Sequence, residues 1–278
     1  MFVRMGEIWT MVMKTLTPET MLLKAKKAEN NCTATLQKID ALANIPDKML
    51  TVAQKRNLIL ELARKYKIEP EFVYAFLEIE SSGQSFCSDG RPKIRFEPHI
   101  FCGASASGVD TAKTAGFDYK TTPWYDKNGK QAQEKWKALG YKHSRGCPQT
   151  DEWAAFAAGA EMSVFQAFAS ISVGGPQIMG FNYKMMGYAS PEDLYNEFAQ
   201  SETTQIYGFF RFVAKKNSGA ILKASRRKDF VTCAKNYNGN GKISPRDYNG
   251  KTFTVKKYYY GEKIKVLYEK YKRKGLPQ

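Results

Sequence analysis

Histidine is scarce in this chain of 278 residues, and its few cysteines are scattered. There are two His and five Cys, and no two cysteines have the Cys-X-X-Cys spacing typical of structural zinc sites. We therefore expect neither a metal site nor another cofactor. The odd, dispersed set favours free thiols in a protein made in a reducing compartment, with a single disulfide as the alternative. The cysteines are Cys32, Cys87, Cys102, Cys147 and Cys233.

Long apolar runs are also missing. No uncharged stretch approaches the roughly 18 residues that a membrane-spanning helix needs. Residues 1–17 carry Arg4 and Glu7 and are followed by no small-residue cleavage site. We therefore interpret them as an ordinary N-terminal segment, not as a signal peptide. If the target lies outside the cytoplasm, another component must let the protein out.

Acidic residues are too few to balance the basic ones. Lys and Arg number 43 and Asp and Glu 27, which gives a formal net charge of +16. Such a charge attracts anionic polymers, among them nucleic acids, anionic membranes and bacterial wall polymers. The basic residues are spread along the chain and no helix-turn-helix, zinc-finger or RNP pattern is present, so specific nucleic-acid binding is not expected. The 17 Phe and 16 Tyr supply ample material for a packed core.

The helical patterns predict a mainly α protein with an N-terminal appendage. Residues 1–50 form this appendage, with a helix starting at Thr17-Pro18-Glu19 and ending before Asn44-Ile45-Pro46-Asp47. We favour an arm packed on the main domain over an independent binding module, because fifty residues are few for a separate core. The main domain is expected to comprise residues 51–278.

Within the main domain, apolar residues recur mostly at helical spacing. A loop-rich insertion over 84–148 is expected to contain one short β element at 93–96, and a glycine-rich turn follows at 172–180. The predicted helices span 52–66, 70–80, 151–170, 191–213 and 220–237.

The basic tail over 251–278 allows two interpretations. Its apolar residues recur at helical spacing among many lysines. It could be a cationic amphipathic helix that engages anionic wall polymer or outer-membrane lipid. We favour the alternative, a C-terminal helix with its apolar face on the core and its lysines in water.

Glu80 is the first candidate for catalysis. On a helix that turns about 100° per residue, it ends the apolar stripe that includes Phe76 and Leu77, whereas Glu78 lies on the opposite, solvated face. A carboxyl at the edge of a core is desolvated, which raises its pKa. A carboxyl still protonated near neutral pH can donate a proton to a leaving group, as glycosidases require. The alternative is a buried structural glutamate.

Further polar candidates lie downstream. Gln177 and Asn182 follow two adjacent glycines, and Tyr237 and Asn238 precede another glycine-rich turn. Their amide and phenol groups suit sugar hydroxyls and N-acetyl groups, although each turn by itself could be a plain helix connection.

Glu97 is the candidate for a second carboxylate. Glycoside hydrolysis usually employs two carboxylates. We favour the alternative that Glu97 holds Arg95 or His99 in a structural network. Without a second carboxylate, hydrolysis cannot be distinguished by sequence from lytic transglycosylation.

Four segments together resemble the N-acetylmuramidase domain of phage endolysins, in the same order along the chain. The resemblance covers roughly residues 52–275 and implies a lysozyme-like glycosidase fold. Two departures are Val173, where the family usually has an aromatic residue, and a Gly-Pro pair before Gln177. The segments are Glu80–Phe86, Asp89–Phe101, Ser172–Tyr188 and Ala234–Gly241.

The resemblance implies a muramidase that cleaves the β-1,4 bond between N-acetylmuramic acid and N-acetylglucosamine, with Glu80 as general acid. It implies bacterial peptidoglycan as the substrate. We expect a monomer without cofactor, and the lack of a signal peptide fits a lysis enzyme that waits in the host cytoplasm before acting on the wall. The alternatives are a lytic transglycosylase and a non-catalytic peptidoglycan-binding protein. The expected substrate-binding residues are Ser81, Gln177, Met179, Asn182, Tyr237 and Asn238.

Overall fold

The computed structural model describes residues 18–101, 147–238 and 259–278. These residues form a mainly α structure with one small sheet, as the sequence predicts. The α-helices are α1 (Pro18–Ala43), α2 (Val52–Tyr66), α3 (Pro70–Ser81), α4 (Pro98–Phe101), α5 (Gln149–Met162), α6 (Val164–Ala169), α7 (Tyr183–Met186), α8 (Pro191–Phe198), α9 (Glu202–Lys215), α10 (Ala220–Arg226), α11 (Phe230–Asn238) and α12 (Tyr259–Lys274). The strands are β1 (Ile94–Phe96), β2 (Ile171–Val173) and β3 (Ile178–Met179), and the 3-10 helices are η1 (Gly180–Asn182) and η2 (Lys216–Gly219).

The two helices that lead to Glu80 are confirmed. Thr51 forms a capping box with Gln54 at the start of α2, and Lys67 ends that helix in the left-handed conformation. Pro70 occupies the first turn of α3, where its missing N–H costs nothing. Helix α3 therefore begins at a fixed point and carries its apolar stripe into the core.

Three predicted helices are wrong in length, because each is two helices. The breaks lie at Ser163, Ser201 and Asp229. In each case the side chain accepts a hydrogen bond from the backbone N–H three residues later, at 3.2–3.3 Å for the serines and 3.0 Å for the aspartate. Such a cap starts a new helix and competes with continuation of the old one. The predictions that the structure corrects are the single helices over 151–170, 191–213 and 220–237.

The sheet has three antiparallel strands in the order β1-β2-β3. The predicted β element at 93–96 is confirmed as β1, but the glycine-rich turn over 172–180 also contains β2 and β3. The other edge of β1 is covered by α5. The Gln149 amide exchanges hydrogen bonds of 2.9 Å with the N–H and carbonyl of Ile94, and Glu152 accepts from Phe96 N at 2.7 Å. The backbone groups at this edge of β1 are therefore hydrogen-bonded by side chains of α5 instead of by a fourth strand.

The N-terminal helix α1 packs on the main body. Cys32 and Ile39 are buried in the same core as the residues of α3. This supports the packed arm, while the domain boundary at residue 50 stays a prediction. The predicted start at Thr17 lies outside the described residues. Four cysteines are free thiols, and Cys102 lies outside the described residues.

The C-terminal helix α12 also packs on the core. Ile264 is fully buried and Tyr268 is 3% exposed, with the Tyr268 ring against Phe230. This supports the packed C-terminal helix over a free amphipathic one. Among the described segments, no helix has the length and apolarity to cross a membrane.

Candidate active site

Glu80 lies in the last turn of α3, where the chain leaves the helix. Ser82 ends the helix in the left-handed conformation, with φ 55°; its N–H donates to the carbonyl of Glu78, and the N–H of Gly83 donates to the carbonyl of Leu77. The residue Glu80 as a whole is partly exposed, but its carboxyl group is buried. This burial raises the pKa of Glu80 to about 8. The pKa shift is in the predicted direction. A carboxyl with that pKa is mostly protonated at neutral pH and has a proton to donate.

A tyrosine of α12 contacts this carboxyl. The Tyr260 hydroxyl donates a hydrogen bond to Glu80 Oε1. The Tyr260 ring meets Phe76, one turn before Glu80 on α3, edge-on at 6.2 Å between centroids. Sequence reasoning missed Tyr260 because it is one of several tyrosines in the basic tail, 180 positions away along the chain.

Tyr237 connects the glycine-rich turn to the surroundings of Glu80. Its ring packs 4.7 Å from that of Phe76, and its hydroxyl donates to the Pro176 carbonyl at 2.5 Å. Burial, with the negative form of Glu80 adding to it, raises the pKa of Tyr237 well above its usual value. Phe76 therefore lies between two tyrosines, one contacting the acid and one contacting the turn. Through these contacts the structure brings Glu80 close to the turn.

Gln177 has its side chain occupied within the turn. It takes the left-handed conformation, with φ 49°. Its Nε2 donates to the Gly174 carbonyl at 2.8 Å, and its Oε1 accepts from Ser172 Oγ at 2.7 Å. These bonds fix the shape of the turn between β2 and β3.

Gly174 and Gly175 leave room for the buried side chain of Gln205, which is hydrogen-bonded to the turn. A Cβ at Gly174 would lie 2.3 Å from Gln205 Oε1, and the φ there is +71°. Gln205 Oε1 accepts from Gly175 N at 2.7 Å, while its Nε2 donates to the Phe198 carbonyl at 2.9 Å. Gly174 is therefore required both by conformation and by space, whereas Gly175 is favoured by space, since a Cβ there would lie 2.9 Å from Ser85 Oγ.

The remaining predicted binding residues divide into two groups. Asn182 is buried, donates to the Met179 carbonyl at 3.1 Å and accepts from Lys216 Nζ at 3.2 Å. Ser81 is buried and donates to the Leu77 carbonyl one turn back, at 3.2 Å. Both side chains are used inside the fold. The Met179 side chain is partly exposed on β3, and Asn238 is exposed at the end of α11.

Glu202 organises the loop that follows Glu80. Its carboxylate is 1% exposed and accepts from Lys55 Nζ at 2.7 Å, from Ser85 Oγ at 2.8 Å and from Leu50 N at 3.1 Å. Lys55 also donates to the Gly83 carbonyl at 3.1 Å. A buried carboxylate with this many partners joins α2, α9 and the loop into one unit. No sequence pattern indicates this role, because an acid at the start of a helix is ordinary.

Glu97 takes part in the network that we favoured for it. Its Oε1 accepts from Arg95 Nε at 2.9 Å, and its N–H donates to the Ser170 carbonyl at 2.8 Å. The carboxylate thus stands directly after β1 and is ion-paired. The side chain of His99 lies outside the described residues.

A cleft of about 960 Å³ opens on the other side of α3. It lies between α2, α3 and α12, and Glu78, Tyr74 and Lys270 are among its lining residues. Glu80 is not part of this lining. Within the described ranges, no three His, Cys, Asp or Glu side chains cluster as metal ligands would.

Comparison with known proteins confirms the resemblance. The chain matches the N-acetylmuramidase family model over residues 69–251, a range that includes Glu80, Glu97 and the glycine-rich turn. Among solved structures it is similar to the crystal structure of Burkholderia AP3 phage endolysin, with a TM-score of 0.55 and 25% identity over 82% of this chain and 72% of that one. No curated protein matches the chain. The match spans well over half of the sequence, and the chain belongs to the N-acetylmuramidase family as a glycoside hydrolase that degrades peptidoglycan.

Proposed function

We propose that Glu80 is the general acid that cleaves the β-1,4 bond between N-acetylmuramic acid and N-acetylglucosamine. The observation that carries this proposal is a carboxyl with a pKa of about 8, held at the exit of a helix beside a glycine-rich turn. Protonation of the glycosidic oxygen makes it a better leaving group, and acids poised near the working pH do this best.

The glycine-rich turn is proposed to form one wall of the glycan site. Met179 and Asn238 have side chains available for a ligand. Gln177 and Tyr237 act indirectly in this proposal, because their polar atoms hold the turn in shape. Asn182 and Ser81 belong to the same indirect group. A rigid site orients the substrate without losing entropy when the reaction begins.

Glu97 remains the proposed second carboxylate. Its pairing with Arg95 is compatible with that role, because a nearby cation favours the charged form of a carboxyl and a base or nucleophile must be charged. Its position after β1, the strand paired with β2, associates it with the sheet that carries the turn.

The test is mass spectrometry of the fragments released from purified peptidoglycan. Wild type is expected to release fragments with reducing N-acetylmuramic acid ends, and Glu80→Gln is expected to lose about a thousandfold or more of this activity. The matched control is Glu78→Gln, since Glu78 lies on the same helix but contacts Lys270 on the opposite face. It should keep most of the activity.

Three outcomes would change the proposal. Digestion by Glu80→Gln at the wild-type rate would remove Glu80 as the acid. Anhydro-muramic ends would keep Glu80 but replace hydrolysis by transglycosylation. An unchanged rate in Glu97→Gln would remove Glu97 as the second carboxylate.

A further inference from the structure

We propose that Tyr260 is a positioning residue for the catalytic acid, because its hydroxyl holds Glu80 Oε1 and thereby leaves the donated proton on Oε2. This inference rests on the proposed role of Glu80 as the acid. The structural basis is the hydrogen bond from the Tyr260 hydroxyl to Oε1. An oxygen that accepts from a phenol is the poorer place for the carboxyl's own proton, so that proton is expected on the other oxygen, Oε2.

The electrical neutrality of Tyr260 suits this task. Within the described residues, no Lys, Arg or His nitrogen lies within ion-pair distance of the Glu80 carboxyl. The titratable groups that face it there are Tyr260 from α12 and Tyr237 from α11. A cation would favour the carboxylate and remove the proton before the reaction, whereas a phenol orients the group with a smaller effect on its charge.

The placement of Tyr260 is fixed by the rest of α12. Tyr268 donates to Glu69 Oε2 at 2.5 Å, and Lys270 Nζ donates to Glu78 Oε1 at 3.0 Å, so the helix is bound to α3 over two turns. Gly261, the neighbour of Tyr260, allows close approach to α11, since a Cβ there would lie 3.0 Å from the Phe230 carbonyl oxygen. The packing of α12 therefore places the phenol of Tyr260 next to the carboxyl of Glu80.

Helix α12 lies beyond the part of the chain that the family model matches, which ends at residue 251. Tyr260 therefore gives a role in the reaction to a segment outside the matched range. In that role α12 completes the surroundings of the acid in addition to contributing to the core.

The proton transfer becomes easier when Tyr260 is present. As the bond between the sugar C1 and the glycosidic oxygen breaks, its electron pair goes to that oxygen, which takes the proton from Glu80 Oε2. The electron-poor C1 is then captured by the oxygen of water, which loses a proton, or, in transglycosylation, by the sugar's own hydroxyl. Glu80 is left as a carboxylate, and the hydrogen bond from Tyr260 then joins a neutral donor to a charged acceptor. Such a bond is stronger than one between neutral groups, so it stabilises the transition state more than the starting state.

The experiment compares Tyr260→Phe with Tyr271→Phe in the full-length protein. Tyr271 also donates from α12 to a glutamate of α3, in this case Glu78, so each variant loses one interhelical hydroxyl. We measure kcat, KM and the pH profile of kcat on soluble peptidoglycan fragments, together with the melting temperature of each variant.

For Tyr260→Phe we expect kcat to fall about tenfold with little change in KM. The alkaline limb of the profile should move up by about one pH unit, because the lost hydrogen bond favoured the carboxylate over the acid. Tyr271→Phe should keep the wild-type limb. A 3-fluorotyrosine at position 260 preserves the packing and donates more strongly, so it should move the limb to lower pH.

An unmoved limb in both position-260 variants would overturn the inference, as would an equal movement in Tyr271→Phe. Should Tyr260→Phe fail to fold, the fluorotyrosine protein decides the question alone. If Glu80→Gln keeps full activity, the proposed function itself has failed. If Glu80→Gln is inactive while the position-260 limbs stay fixed, only the role of Tyr260 is lost.

Discussion

The two ends of helix α3 carry glutamates with opposite electrostatic properties. Burial would raise the pKa of Glu69, at the first end, but hydrogen bonds from Lys272, Tyr268 and Lys228 bring it down to about 2. Burial raises the pKa of Glu80, at the last end, to about 8, and its hydrogen-bond partner in the described structure is the phenol of Tyr260. The same residue type on one helix therefore differs by about six pKa units.

The difference comes from which side chain α12 presents to each acid. Glu69 and Glu78 each meet both a lysine and a tyrosine of α12, whereas Glu80 meets a tyrosine and, within the described residues, no lysine. In a chain of net charge +16, an ammonium beside any acid would be the ordinary outcome. The acids paired with lysine fasten the two helices together. Glu80, which is buried and meets no ammonium in the described structure, keeps its proton near neutral pH, and that is what a general acid needs.

The largest loss of activity is expected when a cation is placed beside Glu80. In Tyr260→Lys an ammonium replaces the phenol beside the carboxyl and favours its charged form. The pKa of Glu80 should fall by about 1–3 units, and activity near pH 8 should fall about tenfold or more. The measurement is the pH profile of peptidoglycan digestion, whose alkaline limb should move to lower pH.

The control for this substitution is Tyr271→Lys. It adds the same charge to α12, but beside Glu78. Its alkaline limb should coincide with that of the wild type. If Tyr260→Lys also kept the wild-type limb, the protonation of Glu80 would not depend on its partner from α12, and the contrast between the ends of α3 would have another cause.

A smaller effect is expected on stability when the buried acid is made permanently neutral. The folded-state pKa of Glu80, about 8, exceeds the ordinary value of 4.5. The folded protein therefore holds this proton more tightly than the unfolded chain, and its stability falls as the pH rises from about 4.5 to about 8. Glutamine does not titrate, so Glu80→Gln should match the wild type near pH 4 and melt several degrees higher near pH 9.

Thermal unfolding followed by circular dichroism across that pH range checks this expectation. Glu78→Gln is the matched variant, and it should gain nothing at high pH because it removes a partner of Lys270. A melting difference between Glu80→Gln and the wild type that does not vary with pH would show that Glu80 is not held as the neutral acid.

The acid itself could be predicted from the sequence, because its evidence is local. Helical periodicity placed Glu80 at the end of an apolar stripe, and Pro70 and Gly83 marked the limits of the helix. Desolvation follows from that position alone. The fold class and the family were likewise accessible, since the segments that carry the resemblance are contiguous stretches of chain.

The partners of the acid could not be predicted, because they come from distant segments. Tyr260 and Glu202 are ordinary members of their own helices, and only the packing of α12 and α9 gives them a role. The same limit applies to Gln177 and Tyr237. The sequence showed polar groups near glycines, but not that their hydrogen bonds are used to hold the turn. Helix lengths failed for a different reason, since apolar periodicity continues across Ser163 and Ser201 although the backbone does not.

The smallest expected effect lies at the lysine-bound end of α3. Its folded-state pKa of about 2 lies below the ordinary value of 4.5, so Glu69 contributes stability that is present above about pH 4.5 and is lost as the pH falls through about 2. Its side chain is 37% exposed, and water and salt screen its ion pairs with Lys228 and Lys272. Glu69→Gln should therefore lower the melting temperature at pH 7 by only about 2–4 °C, by less in high salt, and not at all near pH 2. The exposed Glu61 of α2 provides the control, since Glu61→Gln removes the same charge away from α12. A loss near pH 2 as large as that at pH 7 would mean that Glu69 acts through packing and not through its charge, and the two ends of α3 would then differ in burial alone.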